Sequence, residues 1–293
     1  MKIPILGTGL SGLVGSRIME LLGDTFEFTD LSFATGIDIT NSEQVVESFQ
    51  NSSASIVLHM AAKTDVDACE DDKIFGEEGP AWLVNVIGTQ NIVEAAKKFN
   101  KRLVYISTDF VFDGTQDSYA EDDTVNPLNW YGYTKSEGEK LVKEAEIRFM
   151  IVRLSYPFRA YYKEKADFVR RIIEKAEKKE KLFALTDHIF TPTFIDDIAS
   201  ALDLILKKEL QGVYHVVGGQ SLTPHDAIHK ILTKFGLATD VESVTREVFF
   251  KNRAFRPRNL ALKNDKITKL GIKMKSFDEG LSEIEKQIHN KLI

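Results

Sequence analysis

The chain has 293 residues, 43% hydrophobic and 28% charged, with a net charge of −6. These totals suit a soluble globular protein of one large domain or two smaller ones, and the acidic balance argues against a nucleic-acid partner. The single cysteine, Cys69, excludes an internal disulfide, no Cys/His cluster has metal-ligand spacing, and no apolar run approaches the roughly 18 residues of a membrane helix.

The first residues, MKIPILGTGLSG, read as a strand and a glycine turn with no signal peptide, so a reducing cytoplasm is expected. Strand-like runs follow at 2–6, 26–30, 55–60, 102–107, 149–155 and 213–218, rich in Val, Ile and Phe. Helical periodicity occupies 12–22, 42–51, 80–99 and 131–145 between them. Alternation of this kind predicts an α/β fold with a doubly wound parallel sheet of Rossmann type. Pro4 conflicts with a central strand because it donates no ladder hydrogen bond.

After about residue 156 the regularity breaks. A highly charged helix is expected over 163–181, its Lys/Glu run forming a solvated face, followed by a short strand LFAL and a loop at Pro192. We divide the chain into a dinucleotide-binding domain, 1–155 with 193–218 returning to it, and a smaller, mostly helical substrate lobe from 156–192 and 219–293.

The first strand runs into GTGLSGLVG (7–15), which carries two overlapping glycine registers. Gly7, Gly9 and Gly12 form G-x-G-x-x-G; Gly9, Gly12 and Gly15 form G-x-x-G-x-x-G. Either register lets backbone approach a pyrophosphate and aims free helix N–H groups at that anion. Asp30 ends the second strand, where an acid accepts from adenosine ribose hydroxyls. No Lys or Arg lies in 31–40 to hold a 2′-phosphate, so NAD(H) is favoured, with NADP(H) admissible. Asp38, after what reads as a short third strand in GIDIT, accepts from an adenine amino group or belongs to the next helix cap at Thr40 or Asn41. In HMAAKT (59–64), Ala61 and Ala62 leave room for a flat cofactor, and His59 reads as a satisfied buried histidine.

Tyr131 and Lys135, in NWYGYTKSEGEK (129–140), share a helix face at i and i+4. A neighbouring ammonium lowers a phenol's pKa toward useful acid–base chemistry. Strand 102–107 delivers Ser107, Thr108 and Asp109 to the carboxyl edge, where such sheets bind ligands. Asn85 is read as a support for the lysine through water.

In order, these motifs resemble those of an extended short-chain dehydrogenase/reductase. The stretches KTDVDACE (63–70), VNVIGTQN (84–91), STDFVFDG (107–114), YAEDDTVNPLNWYGYTKSEGE (119–139), TPTFIDDIA (191–199), GVYHVVGG (212–219) and RPRNLAL (256–262) are similar to the dTDP-4-dehydrorhamnose reductase family. The resemblance covers nearly the whole chain. It implies NAD(P)H-dependent reduction of the C4 keto group of a nucleotide-linked 6-deoxy sugar. Thr108 would polarise the keto oxygen, Tyr131 would supply the proton, and Lys135 would lower the tyrosine pKa and hold the nicotinamide ribose.

Cofactor contacts are implied at Gly9, Ser11, Gly12, Leu13, Asp30, Asp38, Ile39, Met60, Ala61, Ala62, Asn85, Ser107, Tyr131 and Lys135. Substrate contacts are implied at Thr64, Val66, Thr108, Tyr131, Arg256 and Asn259. Leu13, where the family carries glutamine, and RLSYPFRAYY (153–162) depart from the family pattern. No metal, nucleic acid or membrane is expected; the partner is a small-molecule nucleotide sugar, with a homodimer allowed. The rivals are a nucleotide-sugar epimerase or dehydratase, and a non-catalytic NAD(P)-binding regulatory subunit of the methionine adenosyltransferase type. A dehydratase needs an added acid and base beside the threonine; Asp109 is an acid, but Phe110 is no base.

Overall fold

The computed structural model describes residues 1–290, so 291–293 of the second lobe lie outside the described residues. The first half of the chain runs β1 (Ile3–Thr8), α1 (Leu13–Leu22), β2 (Phe26–Leu31), α2 (Ser42–Gln50), β3 (Ile56–His59), α3 (Val66–Asp72), α4 (Pro80–Trp82), α5 (Gly88–Lys98) and β4 (Arg102–Thr108). It continues through α6 (Trp130–Glu144), β5 (Phe149–Leu154), β6 (Pro157–Phe158), α7 (Phe168–Glu177), β7 (Leu182–Leu185), β8 (Thr193–Phe194), α8 (Ile195–Lys207) and β9 (Gly212–His215). The last elements are α9 (Pro224–Lys234), β10 (Val241–Val244), α10 (Arg246–Phe249), α11 (Asp265–Thr268) and α12 (Phe277–His289).

Six parallel strands form the central sheet in the order β2-β1-β3-β4-β5-β9. Helices cover both faces, as the doubly apolar strands require. On one face α1 and α8 bury Ile18, Leu22, Ile198 and Leu202 against Ile5, Leu58 and Val104. On the other, α2, α5 and α6 bury Phe49, Ile92 and Val142 against Leu6, Val57 and Leu103. The chain passes from β1 outward to β2, then crosses back to β3 on β1's other side. That reversal opens a crevice at the carboxyl ends of β1 and β3, where ligands of such sheets bind.

Pro4 is accommodated by register. It pairs with Glu27 of β2, whereas pairing with β3 begins only at Ile5. The missing donor therefore falls where one neighbour has not yet started. Three expectations shift. GIDIT is not a strand; 36–40 is a loop ended by Asn41, whose side chain caps α2 through the N–H groups of Glu43 and Gln44. The charged helix is shorter than 163–181, because Asp167 caps it at Arg170 N and the run after Glu177 frays into a turn. The final core strand is shorter, Gly212–His215, although Val216 N still donates to the Arg153 carbonyl of β5 at 3.0 Å.

The helix expected at 80–99 is continuous but contains a π-turn, Leu83–Ile87. Such single turns commonly mark functional sites. A separate core of Phe158, Ile173, Phe190, Phe194, Ile231 and Phe277 is assembled from segments on either side of β9. Parallel β7–β10 pairing adds a two-stranded ribbon.

Candidate active site

A cavity of about 1120 Å³ lies at the carboxyl edge of the sheet and extends toward the phenylalanine-rich core. That is enough for a dinucleotide together with a second ligand. Gly9, Ser11, Gly12 and Leu13 line one end. Gly9 has φ +67°, and a Cβ there would stand 2.6 Å from Ala61 N. A Cβ on Gly15 would stand 2.6 Å from the Gly9 carbonyl oxygen. The turn is thus built on the G-x-x-G-x-x-G register. Gly12 precedes α1 without a side-chain cap, and the first turn holds no acid. Its forward N–H groups therefore face the cavity as an anion site.

Met60, Ala61 and Ala62 line the same cavity after β3. Thr8 Oγ1 accepts from Met60 N at 3.2 Å and Ala61 N at 3.1 Å, fixing the two switch-point strands together. His59 is sealed beneath them, Nδ1 2.6 Å from Thr8 Oγ1 and Nε2 3.0 Å from Thr89 Oγ1. Burial pushes it down to about 3, so it is neutral and structural. Asp38 and Ile39 also line the cavity. Asp38 accepts from Thr40 N at 2.9 Å and Thr40 Oγ1 at 2.8 Å, an Asx turn that leaves Oδ2 free.

Three expected contacts sit differently. Asp30, next to last in β2, lies behind the cavity wall, where Leu31, Ser32 and Phe33 are the lining residues. Its Oδ2 accepts from Ser32 Oγ at 2.8 Å, while Oδ1 is buried without a partner. Behind that wall the oxygen is closed to the cavity. Asn85 is fully buried. The π-turn rolls it fully into the core, where Oδ1 accepts from Lys63 N at 2.8 Å and Nδ2 donates to Lys63 O and Thr134 Oγ1. Its side chain thereby shapes the 60–64 loop. Asn259 stands off the cavity, tied to Asp117 O at 2.8 Å and Ala261 N at 3.0 Å.

Ser107, Thr108, Tyr131 and Lys135 all line the cavity. Asn129 caps α6 by accepting from Gly132 N at 2.8 Å, and its amide donates to Phe255 O, which anchors the helix start. A buried pair holds the helix to β5: Arg153 donates from Nε and Nη2 to the two Glu139 oxygens at 2.8 and 2.7 Å. Such a bidentate bond orients rather than stabilises.

Lys135 donates to the Ile106 carbonyl at 2.8 Å and stands 4.1 Å from the Tyr105 ring centre. Burial lowers it to about 7, against the opposing charge of Glu139. Tyr131 is not lowered, contrary to expectation. Burial holds its phenol above the ordinary range, with the Thr108 hydroxyl working the other way. The nearby Asp109 and Cys69 raise it further.

Thr64, Val66 and Arg256 line the cavity with Arg171, Lys175 and Arg253. Arg256 is nearly buried, donates to Asp67 Oδ1 at 2.6 Å and stacks 4.6 Å over the Phe250 ring. Burial pushes Asp67 up, but the Arg256 hydrogen bond and charge hold it below the usual carboxylate range. Sequence reasoning gave no ligand role to Tyr156 or His188, which also line the cavity. Tyr156 takes φ +39°, strain that a side chain seldom bears without a positional need. Its hydroxyl meets His188 Nε2 at 3.4 Å, and His188 Nδ1 meets Pro257 O at 2.8 Å. No spacing in the sequence could have joined these three segments.

Known proteins resemble this chain over most of its length. A dTDP-4-dehydrorhamnose reductase of Aggregatibacter actinomycetemcomitans is 31% identical, over 96% of this chain and 97% of that relative. The crystal structure of dTDP-4-dehydrorhamnose reductase from Bacillus anthracis in complex with NADP superposes with a TM-score of 0.89 at 30% identity, covering 98% of this chain and 100% of that one. Methionine adenosyltransferase 2 subunit beta of Xenopus tropicalis is 27% identical, over 94% of this chain and 85% of its own length. The RmlD substrate binding domain family matches residues 1–290. By that match and the reductase likeness, the chain belongs to the RmlD substrate binding domain family, within the extended short-chain dehydrogenases/reductases.

Proposed function

We propose that this chain is an NAD(P)H-dependent oxidoreductase that reduces the C4 keto group of dTDP-4-dehydrorhamnose. One observation carries the reading. A single cavity joins an uncapped glycine-turn helix, the Thr108–Tyr131–Lys135 set and a cation-rich second lobe. The first suits a pyrophosphate, the second a carbonyl, the third a nucleotide diphosphate.

A bound nicotinamide cofactor supplies the hydride. The chain's own groups manage the oxygen. Tyr131, kept protonated by burial, stands ready to give its proton to the oxygen that becomes a hydroxyl. Lys135, fixed on the Ile106 carbonyl, is placed to hold a cofactor ribose hydroxyl. Thr108 meets the keto oxygen from the other side. Arg256, with Nη1 committed to Asp67 and Ala254 O, offers its remaining N–H groups to a phosphate. The residues up to 155 with 193–218 carry the cofactor, and the remainder carries the substrate.

NADH is the preferred cofactor in this reading. The lack of a cation in 31–40 supports it. Separate titrations with NADH and NADPH test the point; tighter NADPH binding overturns it. Among the described residues no helix is long and apolar enough to cross a membrane. We place the enzyme in the cytoplasm, acting on a small molecule, and sedimentation reads whether it pairs as a homodimer.

The activity itself is tested by following NADH oxidation against a panel of nucleotide 4-keto sugars, with product configuration at C4 read by NMR. No turnover on any of them defeats the reductase reading. A regulatory-subunit reading draws on the likeness to the methionine adenosyltransferase subunit. It requires an inactive chain that instead binds a large enzyme partner.

A further inference from the structure

Tyr156 and His188 line the cavity, yet the reduction described above gives neither of them a task. Tyr156 lies in the stretch 153–162 that departs from the family pattern. Its φ of +39° is a left-handed backbone that a side chain disfavours. Thr193 holds it there: its N–H donates to the Tyr156 carbonyl at 3.2 Å, and its Oγ1 donates to the Ser155 carbonyl at 2.8 Å. The ring stands against Phe190, Phe168 and Phe110, with centres 4.5, 6.0 and 6.4 Å away. Phe110 also packs on Tyr131, at 5.8 Å. The Tyr156 phenol is therefore fixed one ring beyond the proton donor, in the same cavity.

His188 decides where the phenol hydrogen points. Its Nδ1 lies 2.8 Å from the Pro257 carbonyl. A carbonyl only accepts, so Nδ1 carries the ring hydrogen. Burial lowers His188 to about 4, against the pull of that carbonyl, so the ring is neutral and Nε2 bears a lone pair. The Tyr156 hydroxyl is 3.4 Å from that lone pair and has no other hydrogen-bond partner among the described residues. Nε2 has nothing to give, so the phenol donates. Its oxygen keeps its lone pairs, and toward the cavity Tyr156 is an acceptor only.

A 4-keto sugar has two kinds of oxygen to tell apart. Its reacting carbonyl offers only lone pairs and needs a donor. Its ring hydroxyls at C2 and C3 have hydrogens to give. The cavity is polarised to match, with Tyr131 donating on one side of Phe110 and Tyr156 accepting on the other. A sugar turned with its carbonyl toward Tyr156 would set lone pairs against lone pairs.

We propose that Tyr156 is a specificity-determining residue of the sugar site: its phenol oxygen, with its hydrogen held by His188, accepts from a ring hydroxyl of the sugar and so fixes which carbon faces Tyr131. His188 is a positioning residue that acts through the phenol. No proton is transferred and no bond is made or broken by the pair. The inference rests on the reductase reading and deepens it.

The test uses the intact chain with NADH, dTDP-4-dehydrorhamnose and the 2-deoxy and 3-deoxy analogues of that sugar. In the parent, loss of the hydroxyl that Tyr156 reads should lower kcat/KM about tenfold, the worth of one neutral hydrogen bond. Tyr156→Phe keeps the ring and its aromatic contacts. It should lose that factor on the full sugar and lose nothing on the analogue without the hydroxyl, so the discrimination collapses. A residue that only shapes the cavity would lower all three substrates alike. His188→Phe keeps a flat ring against Phe190 and frees the phenol hydrogen; it should shrink the same ratio while NADH binding stays parental.

A parent that does not discriminate against either analogue overturns the proposal, as does a parental ratio in Tyr156→Phe or in His188→Phe. A second measurement needs no turnover. Equilibrium binding of dTDP-rhamnose and its 2-deoxy and 3-deoxy analogues to the chain loaded with NAD reads the same ratio. A ratio that collapses there in Tyr156→Phe, with no keto sugar reduced by the parent, supports the sugar contact and defeats the reductase reading alone. Failure of dTDP-rhamnose to bind defeats both.

Discussion

Tyr162 donates its phenolic hydrogen to the carbonyl of Ser11, 2.6 Å away across 151 residues of chain. The bond ties the segment after β6 to the glycine turn. Arg159 adds to it: its guanidinium donates to Ser16 Oγ at 3.0 Å and to both Glu20 oxygens at 2.9 Å on α1. The segment after β6 is thus held to the glycine turn and to α1 at several points. Tyr162→Phe should weaken NADH binding about two- to tenfold, the worth of one hydrogen bond. Fluorescence titration with stopped-flow release rates measures it. Equal release rates in the two proteins would mean that the strap does not bear on the cofactor.

Tyr131 and Lys135 separate by their expected failures. Tyr131→Phe keeps the ring that packs edge-on against Phe110, with centres 5.8 Å apart, and loses only the hydroxyl. Turnover should fall by about 10²–10⁴ while NADH binding is nearly intact. Lys135→Ala should harm both binding and turnover. Steady-state kinetics with a parallel binding titration checks the pair. Full activity in Tyr131→Phe would move the proton donor elsewhere.

Much of this was legible in the sequence, and the reason is local. Parallel strands buried on both faces must be runs of apolar residues, so their order could be read directly. The glycine turn and the i, i+4 pair are likewise short-range patterns. What escaped the sequence is set by distant partners. The bond from Lys63 N to the Asn85 amide depends on a π-turn that no short pattern announces. Asp30 had the right position, but Ser32 and Leu31 form the wall in front of it. Asn259 lies in the right motif yet bridges to Asp117. The upward shift of Tyr131 comes first from burial, which i, i+4 spacing does not encode.

Gly9 offers a direct test of the turn. Its φ of +67° disfavours any side chain, and a Cβ would meet Ala61 N at 2.6 Å and Ala61 Cα at 2.8 Å. The obstacle is backbone of the next strand's loop, which cannot step aside alone. Gly9→Ala should cost at least the ~1–2 kcal/mol of a left-handed residue, and more once the strand ends are forced apart. Loss of NADH binding should exceed the loss of thermal stability in effect, because the same loop lines the cavity. A variant with parental melting temperature and cofactor affinity would show that the turn relaxes freely.

Stability against pH should carry two opposite signatures from the site. Asp109 is raised from 3.8 to about 6, so the folded state holds a proton that the unfolded chain has released. Its favourable contribution is full below 3.8 and is lost as pH rises through about 6. Lys135 is lowered from 10.5 to about 7, so the unfolded chain holds the extra proton. Its contribution is present above 10.5 and is lost as pH falls through about 7. Each slope is at most about 1.4 kcal/mol per pH unit.

Denaturant melts of Asp109→Asn and Lys135→Met, each minus the parent, isolate the two terms. The Asp109→Asn difference should grow in the variant's favour between 3.8 and about 6, then level off. The Lys135→Met difference should be largest below about 7 and shrink toward 10.5, as the parent's unfolded chain gives up its proton. A Lys135→Met difference that stays flat across that window would mean the folded lysine keeps an ordinary pKa. The ammonium would then be solvated or paired in solution, and its bond to the Ile106 carbonyl could not be the dry anchor described above.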